Sequence, residues 1–210
     1  MPGALEVQWT SDRSLRVRGL APLAIAQALR GVVGIIDVAP TETAAYVTID
    51  PLAGVDIQFL SAKLSGAASQ PLPEPRVHEI PACYEQPHGP DLADVARLAG
   101  LSEEEVIQLH TTTEFTVAFM GFMPGFGYLT GLPESLRVPR LPSPRTRLEA
   151  GSVGLAGPYS GVYPRGGPGG WRIIARADAV MFGVERDEPA LLRAGDVVRF
   201  HSIPARAFRS

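Results

Sequence analysis

The sequence predicts an α+β protein in two parts, a small α/β domain over residues 1–80 and a β-rich domain over residues 81–210. Helix-like and strand-like segments alternate as far as Leu64, and a Pro/Ser/Ala-rich stretch, Ser65–Pro75, then reads as a linker. Beyond Thr113 no long helical pattern occurs, only short β-prone runs divided by glycine and proline.

In the first part, Leu5–Trp9 and Ser14–Arg18 are expected strands around the turn residues Ser11 and Asp12. Pro22 suits a first helical turn, and Leu23, Ile25, Ala26, Ala28 and Leu29 give that helix an apolar side closed by Gly31. Val32–Val38 and Ala44–Ile49 are β-rich, with Pro40 and Thr41 between them, and Val55–Leu64 has the spacing of a second helix. Val77–Ile80 is expected to return to the same sheet as its last strand. Two helices crossing one small, mostly antiparallel sheet predict a ferredoxin-like arrangement.

The second part opens with two helices. Asp91–Ala99 carries an acidic residue in its first turn and stops at Gly100. The next begins at Ser102, with Glu105 as its capping-box partner. Phe115–Phe119, Ser152–Leu155, Arg172–Ala175 and Val197–Phe200 are the expected strands of a closed or sandwiched β domain with large loops.

Composition narrows the function classes. With 210 residues, 45% hydrophobic, 20% charged and a net charge of −3, the chain reads as globular, with no general affinity for nucleic acid or an anionic membrane. Cys83 is the only cysteine, so neither an internal disulfide nor a multi-cysteine metal site is expected. The apolar run Val117–Met123 is interrupted by Gly121 and ended by Pro124, far short of a membrane span, and no early apolar stretch suggests a leader; a cytoplasmic location is the default expectation.

Residues 121–171 form the candidate functional region. Gly121–Tyr128, Pro139–Arg140 with Pro144–Arg145, and Tyr163–Trp171 interleave glycine and proline with aromatics and arginines. Phe122, Phe126, Tyr128, Tyr159, Tyr163 and Trp171 are candidates for a pocket wall, with Pro124, Gly125, Gly169 and Gly170 letting the backbone approach a ligand. Arg140, Arg145, Arg147 and Arg165 are candidates for binding carboxylate or phosphate. The plainer reading, tucked aromatics and solvated arginines on a β-barrel, stays open. No phosphate-binding loop of the G-x-x-x-x-G-K-[ST] kind occurs, and Lys63 is the sole lysine. His110 and Glu114, four residues apart, are a candidate base and orienting partner, against the alternative of a histidine on its own helix dipole. His78, His88 and His201 are scattered, so no zinc site follows from spacing. Cys83 reads as a buried structural residue, and Ser160, in Gly157–Gly161, reads as a turn residue.

Gly89–Pro90–Asp91–Leu92, Leu109–His110, Gly121–Leu129 and Gly131–Leu132 carry a resemblance to a known family. Pro139–Arg140, Pro144–Arg145, Ala150–Val153, Gly161–Pro164, Pro168–Trp171 and Ala194–Asp196 continue it in order. The sequence resembles the 5-oxoprolinase B-subunit family, whose members also carry the names allophanate hydrolase subunit 1 and sporulation-kinase inhibitor KipI. The resemblance implies a ferredoxin-like N-terminal domain and a cyclophilin-like barrel. It also implies partner subunits of the A and C kinds and, in that complex, ATP-dependent hydrolysis of 5-oxo-L-proline to L-glutamate with Mg2+ arriving on the nucleotide. From their residue chemistry, and not from the resemblance, His110, Glu114 and Arg140 are the candidate catalytic residues. The chain departs from the family pattern at Glu85, Phe115, Ala175–Ala177 and Ala39–Thr41. Two other readings are carried: a regulatory inhibitor of a sensor histidine kinase, and a component of a carboxyltransferase-related enzyme acting on another small amide.

Overall fold

The computed structural model describes residues 4–67 and 74–209, so residues 68–73 of the expected linker Ser65–Pro75 lie outside the described residues. The fold is α+β, a ferredoxin-like sheet-and-helix unit and a cyclophilin-like closed barrel. Two compact units divide the chain at Glu74 and Pro75.

In the first unit, β1 (Glu6–Ser11) and β2 (Ser14–Arg18) form a hairpin, α1 (Pro22–Ala28) follows, and β3 (Ile35–Pro40), β4 (Ala45–Ile49) and α2 (Ile57–Leu64) complete it. The sheet order is β1-β2-β4-β3, antiparallel throughout. Pro40, which cannot donate to a ladder, sits at the end of β3 on the outer edge, where none is needed. Alternation along β2 and β4 turns Leu15, Val17, Ala45, Val47 and Ile49 to one face, where Ile25 of α1, Leu29 just after it, and Leu60 and Leu64 of α2 cover them. The Asp56 carboxylate accepts from the Phe59 N–H at 2.8 Å and starts α2.

The second unit begins with β5 (Val77–Cys83). It does not return to the first sheet: it runs parallel to β13 (Val197–Ser202) and antiparallel to β12 (Arg172–Ala177) inside the barrel. Side-chain bonds reinforce that placement, with Arg76 and His78 both donating to the carboxylate of Asp196, at 2.6 and 2.9 Å. Burial alone would push that carboxyl up, but the bonds from Arg76, the Arg193 backbone and His78 outweigh it and hold the group below its ordinary value.

α3 (Leu92–Ala99) ends at Gly100, whose φ of 69° is the left-handed turn that glycine takes without strain. α4 (Glu103–Thr112) starts in a complete capping box: the Glu105 N–H donates to Ser102 Oγ and the Ser102 N–H donates to the Glu105 carboxylate. The closed barrel has the order β10-β7-β6-β13-β5-β12-β9, where β6 is Glu114–Met120, β7 Gly127–Thr130, β9 Ser152–Ala156 and β10 Tyr159–Val162. A separate ribbon pairs β8 (Arg145–Leu148) with β11 (Gly167–Gly169). The expected strands of this unit are present; β7, β8, β10 and β11 occupy what reads in sequence as loop. The interior is filled by Phe115, Val117, Leu129, Val153, Leu155, Val162 and Phe200, with Val106 of α4 packed among them. Among the described residues no helix is long and apolar enough to cross a membrane.

Candidate functional site

Alternation along β9 and β10 sends Val153, Leu155 and Val162 into the barrel and leaves Gly154, Ala156, Tyr159 and Gly161 on its outer wall. A second apolar cluster forms on that wall: Phe126, Tyr163, Trp171 and Ile173 with Leu148 of the ribbon. Glycines make room for it. A Cβ at Gly161 would lie 2.9 Å from the Phe126 ring, and one at Gly154 would lie 3.0 Å from Trp171 Cβ. The rings meet edge to face, Phe126 with Trp171 at 5.4 Å and with Tyr163 at 5.3 Å between centroids, while Phe119 stacks on Tyr128 at 4.4 Å. Each such pair contributes about 0.5–1.5 kcal/mol beyond area burial, so the cluster is a preformed, rigid surface.

Exposure sorts the expected wall residues into two sets. Phe126, Tyr163 and Trp171 are buried, as are Gly125 and Gly169, so they form the floor. Phe122, Pro124 and Arg140 are exposed, and Tyr128, Tyr159 and Gly170 are partly exposed, so these are the groups of the set that reach solvent. Phe122 is unusual on two counts. It is 59% exposed and has a φ of 64°, a left-handed conformation that a bulky side chain rarely takes. The Met123 N–H donates to the Gly121 carbonyl at 2.7 Å, closing a three-residue turn around it. Its ring meets Tyr163 at 6.0 Å and Phe126 at 5.5 Å.

Arg140 is held in place by its neighbours. Arg172 Nε donates to the Pro139 carbonyl at 2.9 Å, and the Leu141 N–H donates to the Gly170 carbonyl at 2.8 Å. That segment lies next to Tyr163, whose hydroxyl would be 2.7 Å from a Cβ on Gly169. Burial pushes the Tyr163 phenol up to about 12, against the opposing pull of the Trp171 N–H and the nearby Arg140 charge. Among the described residues Arg140 has no acidic partner.

Arg145 is different. Its guanidinium makes a bidentate pair with Asp91, both bonds 2.7 Å, and Asp91 also accepts the Ile173 N–H at 2.7 Å. Arg172 pairs with Asp94 through one guanidinium nitrogen, Nη1. Arg145 is therefore a structural clamp, its charge compensated by Asp91. Arg147 faces Glu149 at 3.8 Å in solvent, and Arg165 is exposed in the turn ahead of β11.

The expected His110–Glu114 pair does not form. α4 ends at Thr112, and Glu114 opens β6 with its carboxylate turned to Arg199, at 2.7 Å. His110 points into the barrel, fully buried between Phe115 and Phe200. Its Nδ1 is 2.7 Å from the Tyr84 hydroxyl and its Nε2 is 3.1 Å from Ser160 Oγ. Burial pushes this imidazole down to about 3, so it is neutral and acts as a strut between the end of β5 and β10. Cys83 is buried, its thiol pushed up by that burial. Asp91, Asp94, Arg172, Tyr84 and Ser160 were not singled out from the sequence as site residues.

Residues 4–192 match the family model described as carboxyltransferase domain, subdomain C and D. The 5-oxoprolinase B subunit of Escherichia coli O157:H7 is 53% identical over 128 residues, 61% of this chain and 59% of that protein. The protein of the same name from Bacillus subtilis strain 168 is 45% identical over 135 residues, 64% of this chain and 56% of that one. The chain thus spans under two thirds of the length of the curated relatives it matches. Among solved structures, TTHA0988 superimposes with a TM-score of 0.81 at 35% identity over 92% of this chain and 40% of that chain. A conserved uncharacterized protein of Pyrococcus horikoshii, PH0987, gives 0.62 at 29% identity over 97% of this chain and all of that one (100%). Kluyveromyces lactis urea amidolyase shares the fold, with a TM-score of 0.70 at 17% identity over 97% of this chain and 15% of that one.

Removing the Asp91 carboxylate leaves Arg145 and the Ile173 N–H without their acceptor. Asp91→Ala is expected to cost roughly 2–4 kcal/mol, scaled down from a fully buried pair because Arg145 is partly exposed; thermal denaturation and the near-ultraviolet dichroism of the aromatic face read the loss. A second expectation concerns pH. Folded His110 stays neutral down to about 3, whereas the unfolded chain protonates it near its ordinary 6.5. Unfolded protein therefore binds the extra proton between those values, and stability falls as pH drops through that window. His110→Gln removes this contribution, so urea unfolding is expected to depend less on pH in the variant, by up to about 1.4 kcal/mol per pH unit.

Proposed function

We propose, from the premise that this chain belongs to the carboxyltransferase-domain, subdomain C and D, family, that it is the B-type component of a 5-oxoprolinase. In this reading it acts with partner subunits of the A and C kinds, and the complex opens the lactam of 5-oxo-L-proline with water to give L-glutamate. Breaking that ring amide is coupled to hydrolysis of ATP to ADP and phosphate. The likeness to proteins named as the B subunit of 5-oxoprolinase supports the reaction class. The observation that carries the reading to a site is the outer-wall face itself: a rigid aromatic floor with an exposed ring, Phe122, against Tyr163, and Arg140, a guanidinium without an acidic partner among the described residues, whose charge acts on the same phenol.

The donor set of this chain does not fit a magnesium nucleotide. Lys63 is the only lysine and lies in the other unit, on α2. Arg145 and Arg172 are neutralised by Asp91 and Asp94. Among the described residues no group of three His, Cys, Asp or Glu side chains is placed to hold a metal ion. Nucleotide and Mg2+ are therefore assigned to the partner subunits, and His110, buried and neutral, to support of the barrel. What this chain supplies is a preformed surface that orients a small substrate and shields it from water.

Mixing the chain with its A- and C-type partners and 5-oxo-L-proline tests this. Substrate-dependent ADP release that disappears when this chain alone is omitted is the expected result. Release that continues undiminished without it, or no turnover from a complete and folded assembly, contradicts the assignment.

A further inference from the structure

The face built from Phe122, Tyr163 and Arg140 combines features that barrel folding does not require. Phe122 holds a strained backbone conformation, of a kind that costs about 1–3 kcal/mol, and leaves 59% of its surface in water. Burying that ring would have been the favourable outcome for folding alone. Gly125, at a φ of 83°, and the bonds Phe126 N–H to Met123 carbonyl and Gly121 N–H to Phe126 carbonyl, at 3.0 and 3.1 Å, fix the loop that presents it. The backbone on either side of Arg140 is fixed in the same way, the Pro139 carbonyl accepting from Arg172 and the Leu141 N–H donating to Gly170.

The charge at this face is countable. Arg145 and Arg172 are spent on aspartates, and Arg165 lies beyond the opposite end of the β8–β11 ribbon from Gly170. Arg140, whose neighbour Leu141 bonds Gly170, has no acidic partner among the described residues. A single guanidinium beside aromatic rings complements a ring compound with one carboxylate; a triphosphate would need several cations.

We propose that the Phe122–Tyr163–Arg140 face is a subsite for a small ring bearing one carboxylate, its carboxylate on Arg140 and its ring against Phe122, and that it does not hold nucleotide. The identity of the ring as a five-membered lactam rests on the function proposed above; the carboxylate requirement rests on the face alone.

Calorimetric titration of the full chain tests it with three probes: 5-oxo-L-proline, 2-pyrrolidinone (the same ring without the carboxylate) and ATP. Saturable binding of 5-oxo-L-proline, about tenfold or more weaker for 2-pyrrolidinone and for Arg140→Gln, is expected. Arg140→Lys, which keeps the charge and loses the fork, falls between the two. ATP is expected neither to bind at the face nor to displace the lactam. The proposal is overturned by the absence of saturable lactam binding, by equal binding of 2-pyrrolidinone, by an Arg140→Gln chain that binds as the parent does, or by displacement with ATP. Steady-state kinetics of the assembly separates the two readings. If turnover depends on this chain but Arg140→Gln leaves the KM for 5-oxo-L-proline unchanged, the subsite is wrong and the enzyme assignment stands. If the lactam binds through Arg140 but no assembly turns over, the subsite stands and the enzyme assignment is wrong.

Discussion

The buried carboxylate of Asp91 is the joint on which the aromatic wall depends. It accepts both guanidinium nitrogens of Arg145 and the Ile173 N–H, while its own N–H donates to the Ile173 carbonyl at 2.9 Å. One residue thus ties the start of α3 to β12 and to the β8–β11 ribbon. Gly89 lets that approach happen, because a Cβ there would lie 2.3 Å from the Ile174 carbonyl oxygen. The Gly89–Pro90–Asp91 run therefore has a physical reason: close passage over β12, then a carboxylate delivered into the clamp. Arg145 lies opposite Gly169 in the ribbon register, so the same joint fixes the backbone beside Tyr163.

Two buried polar systems serve the barrel in different ways. The Asp91–Arg145 and Asp94–Arg172 pairs tie the start of α3 to the first residues of β8 and β12. The Tyr84–His110–Ser160 chain crosses the interior and holds β10, whose outward residues Tyr159 and Gly161 border the aromatic cluster. Hydrogen bonds at both imidazole nitrogens keep the buried ring from being an unsatisfied polar group, which would otherwise cost several times a single bond. The outer wall is left with a rigid floor, one strained exposed ring and one unneutralised cation.

Much of the fold was legible in the sequence because its signals are local. The Ser102–Glu105 capping box, the Gly100 stop and the strands around Leu15, Val47 and Val153 each depend on a few adjacent residues. Non-local pairing was not legible. β5 pairs with β13, Val77 opposite Val197, and nothing within Val77–Ile80 says which sheet it joins. β7, β8, β10 and β11 were hidden by glycine and proline, which in this wall make room for rings as well as turns. In the site, the aromatic and glycine runs marked the right region because their composition is unusual. Roles within it were hidden, since sequence does not reveal that Arg145 has a buried partner 54 positions away, or that a helix ending at Thr112 separates His110 from Glu114.

The chain contains two tryptophans, Trp171 in the aromatic wall and Trp9 in the other unit, on β1. Fluorine NMR of 5-fluorotryptophan-labelled protein, titrated with 5-oxo-L-proline, therefore tests the central claim with an internal control. A saturable shift of the Trp171 resonance with Trp9 unmoved is the predicted result. A Trp171 resonance that stays in place at saturating ligand, or one that moves only in step with Trp9, would contradict the assignment of this wall as the substrate face.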